Sequence, residues 1–343
     1  MTGQTGLAHA APPRPSAQWT ISHPFGPRVI AALLGAMLLL GVTAHRVELD
    51  GMVALLAEWG ASVAGLRESS QVGRGLGRLA ETLWPPVLGE RTEVSRIEGF
   101  DPARLPWLAR IERQETREVR LDPVTLRTET IVDAREVLVQ PLGYLGRVLV
   151  KMLETLEIAL WGTVLAVVVS APLALWGAAN YTPHRAVYVT ARAGVSFLRA
   201  IPEMVSALFL VLAFGFGPVA GILALGFHAA GFLGKFYAED IENADRGPQE
   251  ALRAIGANQL KVLWFGVLPQ VLPQYVAYTL YILDRNVRMA AIIGIVGAGG
   301  IGQELKGRYD MFNYGHVSTI LLVLFVTVFA LDQLSARVRA RLI

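Results

Sequence analysis

Residues 158–183 read IALWGTVLAVVVSAPLALWGAANYTP, and none of these side chains is charged. A helix needs about 20 predominantly apolar residues to cross the hydrocarbon core of a bilayer, so this run is long enough to span it. The rest of the chain fits that reading. Of 343 residues, 53% are hydrophobic and 17% charged, whereas a soluble domain carries roughly a quarter charged residues. The deficit is uneven: long apolar runs alternate with one strongly charged segment, the pattern of a multi-pass membrane protein with a sizeable region outside the bilayer. The net charge of +3 comes from basic residues scattered among loops and implies no nucleic-acid partner. There is no cysteine, which excludes disulfides and thiolate metal sites.

Five further spans flank the first. Val29–Ala44 follows the breakers Pro24, Gly26 and Pro27. Val42-Thr43-Ala44, with Arg14 and Arg28 upstream, also fits a cleaved leader, but the long region before the apolar core favours a retained anchor. Met204–Gly234 holds His228 as its one ionisable residue and is interrupted at Gly215-Phe216-Gly217-Pro218, where glycine and proline predict a reversal. The span before that reversal starts near Val187 and carries Arg192 and Arg199. The next runs from about Val271 to Ile295 and contains Asp284, Arg285 and Arg288. The last is Met311–Leu331. The expected fold is an all-α integral membrane protein with about six transmembrane helices.

Basic residues cluster before the first span, around His184 and Arg185, between Lys235 and Lys261, and at Arg337, Arg339 and Arg341. With six spans these regions share one side, which the positive-inside rule makes cytoplasmic, as are both termini. Lys306 and Arg308 are the exception, with Glu304 and Asp310 beside them. The expected organisation is a cytoplasmic segment 1–28, a first span 29–45, an extracytoplasmic region 46–145, a transmembrane core 146–334 containing the loop 238–270, and a cytoplasmic tail 335–343. Within the outer region Val53–Leu66 reads as an amphipathic helix. Residues 118–121 and 125–128 alternate polar and apolar around Asp122-Pro123-Val124-Thr125, a β-hairpin pattern continued by Glu136–Gln140. Gly143–Leu156 reads as an amphipathic helix leading into the span at Ile158.

The cytoplasmic loop contains Gly247-Pro248-Gln249-Glu250-Ala251-Leu252-Arg253-Ala254-Ile255-Gly256. Pro248 suits a first helical position, and Gly256 suits the left-handed position past a helix end. The prediction is a short exposed helix of about two turns, roughly 12 Å long. Ala251 and Ala254 keep part of its surface small, and Asn258 can cap a second helix. Held between two spans, such a helix is a lever that a soluble partner can grip; an ordinary interfacial connector has the same signature.

Two motifs mislead. Gly297-Ala298-Gly299-Gly300-Ile301-Gly302 satisfies G-x-G-x-x-G, yet it closes a membrane span and lacks the preceding strand that a dinucleotide site requires. Gly297, Gly299, Gly300 and Gly302 read instead as a glycine turn at the outer face or as close helix packing. Gly231–Phe236 fails the P-loop pattern in spacing and in its last residue, so it offers no nucleotide-binding loop. His184, His228 and His316 lie on separate segments, so no metal site, bound cofactor or enzyme site is expected. Ionisable residues within spans are functional candidates by default. Arg285 and Arg288 share a helix face, and guanidinium matches a tetrahedral oxyanion. Neutralisation by Asp284 or Glu203 would make them struts instead, and Arg199 and Glu203 are spaced to pair with each other.

The loop resembles that of importer permeases driven by ATP-binding-cassette subunits, which carry E-A-A, three residues, G, nine residues, I-x-L-P. Here Glu250-Ala251-Leu252, Gly256 and Leu268-Pro269 match, while Leu252 replaces alanine and Gly266 replaces isoleucine. The resemblance narrows to phosphonate-type permeases from about Thr155 onward. It rests on Leu198–Glu203, His228–Gly231, Gly234-Lys235, Glu239–Asn243, Leu268–Gln274, Asn286-Val287-Arg288 and Val296–Gly302. Residues 84–141 are longer than the family leads one to expect. The resemblance implies a type I importer permease fold in a bacterial inner membrane and a coupling helix with Glu250, Ala251, Arg253 and Gly256 against an ATPase. It also implies a substrate pathway past Arg285, Arg288, Asn286 and His228. The implied partners are a second copy of this chain, two ATPase subunits carrying ATP and Mg, an extracytoplasmic binding protein and the lipid membrane. The implied solute is phosphonate, phosphite, hypophosphite or phosphate. A methionine permease, an ATP-independent secondary transporter and a membrane dehydrogenase are the rival readings.

Overall fold

The computed structural model describes residues 26–102, 104–106, 108–121 and 128–342, with backbone alone for 115–121, 128–134 and 342. The chain divides into two compact units, Met1–Leu79 and Ala80–Ile343. The first contains α1 (Pro27–Arg46), an apolar helix begun by proline, and α2 (Leu49–Val63), which starts a turn earlier than its apolar pattern suggests. After α3 (Gln71–Leu83) the chain enters a three-stranded antiparallel sheet. Its strands are β1 (Glu90–Glu93), β2 (Arg110–Leu121) and β3 (Thr128–Gln140), in the order β1-β3-β2.

The hairpin is present, with Leu121 opposite Thr128. The expected turn at 122–125 lies outside the described residues. β1, which pairs Arg91 with Val139, was not anticipated: four residues of mixed polarity carry no alternation strong enough to read. The sheet is tied to the helices by backbone bonds from Val87 N to Gly315 O at 3.0 Å and from Leu145 N to Leu88 O at 3.0 Å.

The helical body comprises α4 (Gly143–Gly177), α5 (Arg185–Ala200), α6 (Glu203–Phe214), α7 (Pro218–Asn243), α8 (Arg246–Ala254), α9 (Gln259–Val262), α10 (Leu268–Gly294), α11 (Gly300–Asp310) and α12 (Tyr314–Leu342). α4 is one continuous helix, not a separate amphipathic helix followed by a span. No breaker separates the two parts, and Lys151 pairs with Glu154 at 2.7 Å within the join. Its buried face runs through Thr155, Ala159, Thr163, Ala166, Ser170 and Ala174. Small residues at this spacing let α7 approach closely, which is how helices associate where lipid gives no hydrophobic drive. A Cβ on Gly226 of α7 would lie 2.5 Å from Leu165, so this seam admits only glycine there without repacking.

By length and composition α1, α4, α7 and α12 can each cross a membrane. α5 and α6 qualify only together, and they meet at an 89° bend. The straight span expected from Val187 is therefore broken at Ile201-Pro202, where proline removes a backbone donor. α10 has the length, but Asp284, Arg285 and Arg288 dilute its apolar content. The last span starts at Tyr314 instead of Met311, because Met311–Asn313 forms the turn after α11, with Phe312 at φ 57°.

Candidate functional site

α8 stands between α7 and α9 with both ends closed. Asp245 Oδ1 accepts from Gly247 N at 3.1 Å, so the helix starts two residues before the expected Pro248, because the aspartate supplies the cap. At the other end Gly256 N donates to Arg253 O and Ala257 N to Leu252 O, each at 3.0 Å. With Gly256 at φ +82° these two bonds complete a Schellman cap. The helix is stapled to the body by Gln249, which is buried: its Nε2 donates to Ala244 O and Asp245 O, and its Oε1 accepts from Tyr181 Oη at 3.2 Å. Gln270 Oε1 accepts from Asp245 N at 2.9 Å. Sequence reading assigned neither glutamine a role, because only the fold shows that they hold α8 in place.

Glu250, Ala251, Arg253 and Gly256 all face outward. Glu250 and Arg253 line a hollow of about 270 Å³ with Asn180, Arg246 and Gln249, and Ile255 beside it is 80% exposed. The two departures from the family motif touch each other: a Cβ on Gly266 would lie 3.1 Å from Leu252 Cδ1. The larger residue at 252 fills the space left by the smaller one at 266.

Of the four pathway candidates, the structure brings Arg285 and His228 together. Arg285 pairs with Glu203, a buried residue at the start of α6, and its Nη2 lies 3.1 Å from His228 Nε2. His228 Nε2 is also 3.1 Å from Glu203, and its Nδ1 donates to Ile201 O at 2.9 Å, since a carbonyl can only accept. The network therefore locks α7 and α10 onto the α5–α6 break. Glu203 does not pair with Arg199 as the spacing suggested, because the bend carries it toward α10. Arg199 Nε is buried without a hydrogen bond to any described residue, and the guanidinium lies 5.8 Å from the Phe232 ring. Arg288 pairs with Asp284 at 2.8 Å on its own helix. Asn286 Nδ2 donates to Thr163 Oγ1 of α4 at 2.9 Å. These two do not join the Arg285 cluster.

The glycine turn is packed rather than open. Gly297, Gly299 and Gly300 have φ of +98°, +87° and +70°, so the turn relies on left-handed backbone. A Cβ on Gly302 would fall 2.0 Å from Ala291 O. α4 caps α11 through Glu154 Oε1, which accepts from Gly300 N at 3.0 Å, and Thr155 Oγ1, which accepts from Ile301 N at 2.7 Å. A carboxylate at a helix N-terminus is favoured by the exposed amides and the dipole. The preceding element is a helix, α10, so the dinucleotide pattern has no strand to support it.

Several helices long and apolar enough to cross a membrane, with a short exposed helix capped at both ends between two of them, are the architecture of a transport permease. Residues 170–343 match the family described as "Binding-protein-dependent transport system inner membrane component", and this chain belongs to it. HtxE of Stutzerimonas stutzeri, named as a phosphite transport system permease protein, is 58% identical over 261 residues, covering 76% of this chain and all of HtxE. The phosphate-import permease protein PhnE of Mycolicibacterium smegmatis is 40% identical over 190 residues, 55% of this chain and 36% of PhnE. Among solved structures, an inward-facing MetNI methionine transporter aligns with a TM-score of 0.50 at 23% identity, over 57% of this chain and 96% of the other. That likeness speaks to the fold, which is the type I importer permease fold.

Proposed function

We propose that this chain is the transmembrane permease of an ATP-driven importer for a phosphorus oxyanion: phosphonate, phosphite, hypophosphite or phosphate. The observation that carries the reading is the 58% identity running the full length of HtxE, a relative named for phosphite transport. The relative named for phosphate import supports the same class of solute. Two copies enclose a path through a bacterial inner membrane, with both termini in the cytoplasm. Two ATPase subunits, which carry ATP and Mg, grip the paired α8 levers through Glu250, Ala251, Arg253 and Gly256. A binding protein delivers the solute on the other side.

Closure of the ATPases displaces α8. Because Gln249 and Gln270 tie α8 to the ends of α7 and α10, the displacement is passed to those helices instead of being absorbed by a loop. Glu203, Arg285 and His228 link the same two helices to α6, so the bent pair moves with them. Alternating access follows from such a two-state assembly. The test is ATP hydrolysis by the chain reconstituted with its ATPase and binding protein, across phosphorus oxyanions and methionine. Stimulation by a phosphorus-oxyanion-loaded binding protein is the expected result. Stimulation by methionine alone would move the solute, and uptake without any ATPase would overturn the mechanism.

A further inference from the structure

We propose that Arg199 is the residue that meets the transported oxyanion midway through the membrane. The proposal rests on the reading of this chain as an oxyanion permease and names the side chain that contacts the solute. Arg199 stands in the last turn of α5, just before the 89° bend at Ile201-Pro202. A Cβ on Gly231 would lie 2.7 Å from Arg199 Cγ, so the glycine lets the arginine stem lie against the middle of α7.

Arg192, Lys235, Arg285 and Arg288, also on α5, α7 and α10, each pair with a carboxylate. Arg199 forms neither an ion pair nor a hydrogen bond with any described residue. The nearest carboxylate along the chain, Glu203, is taken by Arg285 and lies 3.1 Å from His228 Nε2. Only Nε of Arg199 is enclosed, so its terminal nitrogens remain open to a ligand. In place of a carboxylate the guanidinium has the Phe232 ring at 5.8 Å, and the Arg285 guanidinium lies 5.1 Å from the same ring.

An unpaired cation inside a span is expensive to keep. An aromatic face offsets part of that cost, and a passing anion would offset more. Arg199 and Arg285 against Glu203 leave one positive charge in excess even with His228 neutral. The excess belongs to Arg199, because Arg285 already has its carboxylate. A guanidinium fork suits a tetrahedral oxyanion. One open guanidinium, rather than two, holds the ion loosely enough for release, which a transport path needs. The bend beside Arg199 also places irregular backbone at membrane depth, which is tolerated where it is buried in protein or lines a cavity.

The experiment uses the full chain reconstituted in vesicles with its ATPase and a binding protein loaded with phosphate or phosphite. Uptake and ATP hydrolysis are measured together for the parent, Arg199→Gln and Arg199→Lys. Arg199→Gln should lower uptake roughly tenfold or more, the scale of a lost hydrogen bond to a charged group, while stimulated hydrolysis stays at the parent's level. Arg199→Lys, which keeps the charge and loses the fork, should recover part of the uptake. If Arg199→Gln does not fold, Arg199→Lys decides alone: uptake per ATP below the parent's supports the contact, and an unchanged ratio overturns it. Parallel loss of uptake and hydrolysis would make Arg199 a strut against Phe232 and overturn the contact. Unchanged uptake in Arg199→Gln would overturn it too. A parent that imports neither oxyanion fails at the proposed function itself, and the role of Arg199 falls with it.

Discussion

Gly266→Ile and Leu252→Ala, each alone and then together, test whether the two departures from the importer-loop pattern compensate. A Cβ at 266 would sit 3.1 Å from Leu252 Cδ1 and 3.6 Å from Gln249 Cα, in the π-helical turn Leu263–Val267. The branched isoleucine side chain must displace Leu252 or push α8 away, and overpacking of this kind costs about 1–3 kcal/mol. Leu252→Ala removes a half-buried side chain at a cost of roughly 1–2 kcal/mol, below the range for full burial. If the residues exchange volume across their contact, the double variant should be better than the sum of the singles by about 1–2 kcal/mol. Thermal unfolding in detergent would resolve that, at roughly 1–2 °C per kcal/mol for a chain of this size. Binding-protein-stimulated ATPase activity should follow the same order, since the contact seats the lever. Additivity within about 0.5 kcal/mol would refute the compensation, because independent sites behave that way.

Other outcomes follow from the lever and the charged cluster. Gly256→Ala should lose about 1 kcal/mol or more from the left-handed position at φ +82° and weaken coupling further, read as ATP turnover per solute imported. Glu250→Ala changes an exposed residue and should leave melting within about 0.5 kcal/mol while abolishing stimulated hydrolysis; unaltered stimulation would remove Glu250 from the lever. Glu203→Gln leaves Arg285 without its carboxylate and should destabilise the chain by about 2 kcal/mol or more, so a melting temperature equal to the parent's would show the pair to be dispensable. The chain has no cysteine, so Arg113→Cys and Glu250→Cys each provide a single label site. An impermeant maleimide should reach position 113 in intact cells and position 250 only after permeabilisation, and the reverse pattern would invert the proposed orientation.

The apolar runs that became α4 and α7, the reversal at Gly215–Pro218, the left-handed end of α8 at Gly256 and the cap at Asn258 were all readable along the chain. Asn258 Oδ1 accepts from Lys261 N at 2.9 Å, as its position before α9 suggests. Each depends on residues within a few positions of one another: an uninterrupted apolar run, a proline without an amide proton, a glycine free to take positive φ. The hairpin was readable for the same reason, since alternation is a local property.

What could not be read was the choice among distant partners. Glu203 had Arg199 four residues away and took Arg285, 82 residues away, because a bend at Pro202 turns its side chain toward α10. Arg285 and Arg288 share a spacing but not a site, since one meets α6 and α7 while the other returns to Asp284. Glu154, one polar residue of a stretch that reads only as amphipathic, caps α11, 146 residues on. Leu252 and Gly266 looked like two losses of pattern and form one contact. Propensity and hydropathy act over a helical turn or a strand pair and so are written locally. Charge pairing and volume matching act through space, and the packing of helices far apart in the chain sets which groups come within reach.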